Sequence, residues 1–171
     1  MNRAVCRSTA PGCNALAVTD DPDVVSVERL IPAAPEAIFE LLVDPGRHRE
    51  IDGSGTVRGP KGGVPRLGLG VRFGMSMHLG VPYSMVSTVI EYDQNRLVAW
   101  QTRGPGRVGA HVGGRIWRYE LKAVEGGTLV RETWDIAQES ALTKPVVRRA
   151  AEKTREHMKA TLEQIERVLT S

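Results

Sequence analysis

Aromatic side chains are scarce in this chain of 171 residues, which carries two Phe, three Trp and three Tyr. No basic strand with interleaved aromatics and no recognition helix appears, so nucleic-acid binding lacks a platform. Charge of one sign is lacking too. The 23 Lys and Arg residues stand against 20 Asp and Glu, and the basic ones are scattered. A net charge of +3 biases a surface towards anions without making a nucleic-acid binder. Long hydrophobic runs are missing: nothing approaches the ~18 apolar residues of a membrane span. The longest apolar stretch near the start, residues 15–18, falls short of the ~7–15 residues of a signal peptide. No stable membrane insertion is therefore expected.

Cysteine is confined to Cys6 and Cys13, which match no CxxC or Cys/His zinc spacing. A body free of cysteine fits a reducing compartment, and a cytoplasmic location is expected. Catalytic signatures are also absent: HExxH, GxSxG, a P-loop and GxGxxG do not occur. Gly68-x-Gly70 followed by Gly74 misses the dinucleotide spacing, and His78, His111 and His157 have no acid or cysteine at a metal-binding interval. Neither a metal nor a cofactor is expected.

What the chain does contain is glycine, 18 residues of it, and a clear order of elements. Residues 1–22 read as a mobile tail and residues 23–171 as one domain. The β-branched run 24–31 predicts a strand. Pro35 and Glu36 suit the start of a short helix over 35–42, and Asp44-Pro45 opens a second helical turn to residue 49. Strand-like segments follow at about 54–59, 69–79, 83–92, 96–103, 112–123 and 128–137. Turns as short as 80–82, 93–95 and 125–127 force antiparallel pairing, since a parallel return needs a long crossover. The chain closes with an amphipathic helix over 144–169, capped by Thr143, whose apolar seam is Val147, Ala151, Thr154, Met158, Leu162, Ile165 and Leu169. This is an α+β domain, its curved antiparallel sheet covered by the last helix. Five glycines lie within 59–70 and five within 104–114, and both clusters are candidate lids over one end of the sheet.

The hairpin of 115–121 and 128–135 is the most informative segment. A four-residue turn over 124–127 sets Ala123 against Thr128, Leu121 against Val130, Tyr119 against Glu132 and Trp117 against Trp134. This apolar set faces inward, which places the Glu132 carboxyl in an aromatic lining. A buried carboxyl must be hydrogen-bonded, paired or protonated. Tyr119 is its natural partner, either to stabilise the sheet or to join it as an acid–base or ligand-orienting pair. Phe73, Met75 and Met77 alternate on another strand and share the inner face with Trp100, a lining that suits an adaptable apolar pocket or an ordinary core. Tyr83 is a further cavity candidate. So is His48, four positions before Asp52, although a lone histidine there ordinarily decorates the surface.

The stretches VERLIPAAPEAIFELL (27–42), DPGRHREIDG (44–53), WRYEL (117–121) and GGTLVRETWD (126–135) resemble the SRPBCC superfamily. That superfamily includes START lipid-transfer domains, plant pathogenesis-related allergens and the polyketide cyclase/dehydrase and lipid transport family. The resemblance covers residues 23–171 and is strongest to small actinobacterial members of the last group. It implies a helix-grip fold: a seven-stranded antiparallel sheet wrapped round the C-terminal helix, with two short helices after the first strand. It further implies an apolar cavity between sheet and helix. The expected activity is binding, or transport, of a small hydrophobic, aromatic or lipid-like ligand. The alternatives are a cyclase- or dehydratase-like enzyme using Glu132 and Tyr119, and a regulatory module acting through a protein partner. A homodimer is left open.

Overall fold

The computed structural model describes residues 21–63 and 66–171. Positions 1–20, with Cys6, Cys13 and most of the expected tail, lie outside the described residues. Residues 21–24 already form a hydrogen-bonded turn, Val24 N–H to Asp21 carbonyl at 3.0 Å. Asp23 is held there by Lys144 and Arg148, whose cationic hydrogen bonds lower its pKa.

The elements run β1 (Val24–Ile31), α1 (Pro35–Val43), α2 (His48–Ile51), β2 (Val57–Lys61), β3 (Arg72–Leu79), β4 (Val81–Asp93), β5 (Leu97–Arg103), β6 (Gly113–Val124), β7 (Gly127–Asp135), α3 (Lys144–Arg149) and α4 (Ala151–Thr170). A single 3₁₀ turn, Gly106–Ala110, sits between β5 and β6. The seven strands form one sheet in the order β1-β7-β6-β5-β4-β3-β2, every pairing antiparallel. Apart from β1, which adds beside β7, the sheet is a meander. It curls as a half-barrel about α4, which packs on β1 and β7 and touches α1 and α2. This is the helix-grip fold.

Local chemistry accounts for the element ends. Pro45 forces the preceding residue towards extended backbone, and α1 stops at Asp44, φ −106° and ψ 98°. β2 begins three residues later than the sequence suggests because Asp52 captures the intervening chain. Its Oδ1 accepts from Ser54 N and Oγ at 2.9 and 2.6 Å, and its Oδ2 accepts from Val57 N at 2.8 Å. β7 stops at Asp135, not at 137, since Asp135 Oδ1 accepts from Ala137 N at 2.7 Å and turns the chain. The β3–β4 reversal is tighter than expected: it pivots on Gly80 at φ +72°, and Pro82 already lies in β4 opposite His78.

The single long helix expected over 144–169 is two helices, broken at Ala150 with φ −89° and ψ 2°. The apolar seam is fully buried only after the break: in α3 Val147 packs half-buried against the core, whereas α4 buries Met158, Leu162 and Ile165. Nor does Thr143 cap α3. It has helical backbone angles, and its hydroxyl donates instead to Glu139 Oε1 at 2.6 Å.

In the 104–114 cluster Gly109, Gly113 and Gly114 serve packing, while Gly106 faces open space. A Cβ on Gly114 would lie 2.0 Å from the Gln138 carbonyl oxygen, so the start of β6 can pass the post-β7 loop only without a side chain. Gly53 plays the same part on the other side of the molecule, where a Cβ would come within 2.3 Å of the His157 carbonyl oxygen on α4.

Candidate functional site

The β6–β7 register places Tyr119 opposite Glu132, Trp117 opposite Trp134, Leu121 opposite Val130 and Ala123 opposite Thr128, as the alternation predicts. The outward-facing partners carry charge and pair across strands, Arg131 with Glu28 and Arg118 with Glu91. That division leaves the Glu132 side chain on the core side, where the residue is 1% exposed. Tyr119 donates its hydroxyl to Glu132 Oε1 at 2.7 Å. Oε2 is buried and has no hydrogen-bond partner; among the described residues the same is true only of Arg118 Nε.

Burial, with a smaller contribution from the Asp52 carboxylate, pushes the Glu132 carboxyl up to about 8, against the opposing pull of the Tyr119 hydrogen bond. Near neutral pH the group is therefore largely a neutral acid. Burial and the adjacent carboxyl also push the Tyr119 hydroxyl well above its ordinary range, so it remains a donor.

An aromatic chain runs from this pair. The Trp100 ring lies 5.5 Å from Tyr119, and it also stacks on His48 at 5.5 Å and 23°. Phe73 meets both Trp100 and His48 edge-on at 5.8 Å. His48 is thus a buried member of the cluster, contrary to the surface position ordinarily expected of a lone histidine. Its Nε2–H donates to the Leu42 carbonyl at 2.8 Å, which fixes the tautomer. Burial lowers its pKa, so the ring is neutral and Nδ1 keeps its lone pair.

Trp117 and Trp134 lie 6.3 Å apart, the second buried and the first half-buried. Met75 is buried in the same core as Phe73, Trp100 and Tyr119, and half-buried Met77 packs against its edge. Tyr83 stands apart. It is 39% exposed and shares an open groove of about 310 Å³ with Met77, Arg58, Lys61, His78 and Pro82.

A second groove, about 230 Å³, runs between β1 and α4 and is lined by Val27, Glu28, Arg29, Lys159, Leu162 and Glu163. Val27 pairs directly with Glu132 across β1 and β7. Val27 and Leu162 are its buried members, and Arg29 pairs with Glu163 and Glu166 on α4.

Sequence reasoning missed a second buried carboxylate. Glu139, with a fully buried side chain, accepts from Arg115 N and Nε at 3.1 Å, from an Arg115 terminal nitrogen at 2.9 Å and from Thr143. It lies in an irregular segment where no periodicity marks a residue as inward, and only a structure-specific pairing over 24 positions reveals it. Among the described residues no three His, Cys, Asp or Glu side chains gather as a metal site would require.

These features match a known sequence profile, described as polyketide cyclase / dehydrase and lipid transport, over residues 22–170. The chain belongs to this family. The family's SRPBCC-type fold is equally clear in solved structures. Protein CV1439 from Chromobacterium violaceum superposes with a TM-score of 0.68 at 14% identity, over 88% of this chain and 99% of that one. DynU16, a protein of the dynemicin biosynthetic locus, gives 0.62 at 13% identity, over 87% of this chain and 48% of its own. An uncharacterized protein of Mycobacterium tuberculosis, Rv0088, is 40% identical over 112 residues, which are 64% of this chain and 45% of that relative. The chain thus spans less than half the length of the curated relatives it matches. Among the described residues of this family member, no helix is long and apolar enough to cross a membrane.

Proposed function

We propose that this protein binds a small apolar or aromatic ligand between the sheet and α4, with Glu132 as the polar anchor and Trp100, Trp117, Tyr119 and Trp134 as walls. The observation that carries the reading is the unpartnered Glu132 Oε2. Buried polar atoms are nearly always satisfied, and an exception inside an aromatic lining marks a place where a ligand group completes the set. The lipid-transport description of the family agrees with it. The β1–α4 groove offers an approach, since Val27, one of its lining residues, pairs directly with Glu132 across β1 and β7. Among the ten candidate residues, Tyr83 contributes to the outer groove and not to this wall.

A second reading, a cyclase- or dehydratase-like enzyme, has one specific observation in its favour: Tyr119 and Glu132 form a hydrogen-bonded pair of proton-holding groups on one face. The family's description, which names cyclases and dehydrases beside lipid transport, agrees with that chemistry.

Native mass spectrometry of the freshly purified protein tests the binding reading. The expected result is a non-covalent apolar adduct whose occupancy falls in Glu132→Leu and Trp117→Ala. Two results contradict it: an adduct retained equally by both variants, or no adduct together with no saturable quenching of tryptophan fluorescence by mono- to tetracyclic aromatics and fatty acids.

A further inference from the structure

The carboxyl at the heart of the proposed site has an asymmetry that narrows the ligand's chemistry. Glu132 Oε1 already accepts from the Tyr119 hydroxyl, and Oε2 faces no partner. Among the described residues no cation forms an ion pair with Glu132. Each surrounding element repeats that pattern. β1 sets Val27 beside it, α4 buries only Met158, Leu162 and Ile165, and β6 contributes the Tyr119 donor. The titratable groups acting on it are Tyr119 and the Asp52 carboxylate beyond α2, and the latter disfavours a second negative charge. The other ionisable group in the aromatic chain, His48, reaches Glu132 only through the successive contacts of Trp100 and Tyr119 and is itself neutral. A carboxyl so placed keeps its proton, and with Oε1 occupied the proton belongs on Oε2, where it is a donor without an acceptor.

We propose that Glu132 acts as a neutral acid that donates a hydrogen bond from Oε2 to the carbonyl oxygen of a flat apolar ligand, so that the site selects ketones and related carbonyl compounds over hydrocarbons and amines. This rests on the ligand-binding reading above. The wall of Trp100, Tyr119 and Trp134 offers flat apolar faces to such a ligand, and burial raises the value of a single well-aimed donor.

Three probes of one shape test it: 9-fluorenone, fluorene and 9-aminofluorene, titrated against the full chain with tryptophan fluorescence as readout. At about pH 6, where the acid is neutral, 9-fluorenone should bind about tenfold more tightly than fluorene, the worth of one buried hydrogen bond. The ammonium probe should bind more weakly than either. Raising the pH to about 10 should abolish the ketone preference in the wild type. Glu132→Gln keeps a donor at the same place and should retain the preference at both pH values. Glu132→Leu removes the donor and should lose the preference at both.

The failures are distinguishable. If none of the three probes binds saturably, the ligand-binding reading falls and this inference with it. If fluorene and 9-fluorenone bind equally, or Glu132→Leu preserves the difference, the site stands and the acid-donor role is overturned. Tightest binding of 9-aminofluorene at about pH 6 would mean an ionised Glu132 and would also overturn it.

Discussion

Two carboxylates are buried along the same pair of strands, and their surroundings could hardly differ more. Glu139, just beyond β7, is enclosed by a guanidinium, a backbone N–H and a hydroxyl, all from residues fixed by the fold. Glu132, in the middle of β7, has one phenol and an unpartnered oxygen. Arg115, the partner of the first, stands four positions before Tyr119 on β6, so one strand supplies both environments. The contrast separates two uses of a buried acid. Where every lone pair is met, the group locks one end of the sheet to the α3 region. Where one is left open amid aromatic rings, the fold carries a cost that packing alone does not require.

The comparison breaks first at Arg115. Arg115→Ala strips the guanidinium from the buried Glu139, leaving it a backbone N–H and the Thr143 hydroxyl, and should cost about 3–5 kcal/mol in urea unfolding. A loss below about 1 kcal/mol would mean that the two carboxyls are not distinct in kind.

The next effect is pH-dependent. Because the folded state holds the Glu132 proton more tightly than the unfolded chain does, its contribution to stability is present below the ordinary glutamate value of 4.5. It is lost as pH rises towards about 8. The wild type should therefore lose on the order of a few kcal/mol across that window relative to Glu132→Gln, which has no such proton. Parallel stability curves for the two proteins would contradict the assignment.

The smallest effect concerns the phenol. Tyr119→Phe strips the remaining partner from Glu132 and should cost about 1–2 kcal/mol near neutral pH. Since the Tyr119 hydrogen bond holds the Glu132 pKa down, its removal should also move the stability inflection to higher pH. An unchanged inflection would show that the 2.7 Å contact is not made in solution.

The sequence made the first half of this picture readable. Two apolar alternations joined across Glu125-Gly126-Gly127 admit one register, and that register dictates which side chain meets Glu132. The family phrases made the sheet order and the covering helix readable as well. Other features left no periodic trace. His48 sits in a helix of four residues, too short for a face to show in the pattern, and its burial depends on Trp100 arriving from β5. The break at Ala150 lies within an unbroken helical pattern that gives no sign of it. Tyr83 alternates correctly with the inner residues of β4, yet β4 meets β5 only from Val86 onward. The first residues of β4 pair with β3 alone and extend past β5, so inward phase there does not mean buried.

The most direct measurement of the central claim is pH-resolved infrared difference spectroscopy of the wild type against Glu132→Gln. The account predicts a protonated-carboxyl carbonyl band, present at neutral pH, that titrates away around pH 8 and has no counterpart in the variant. Identical spectra at neutral pH, with Glu132 already ionised, would contradict it.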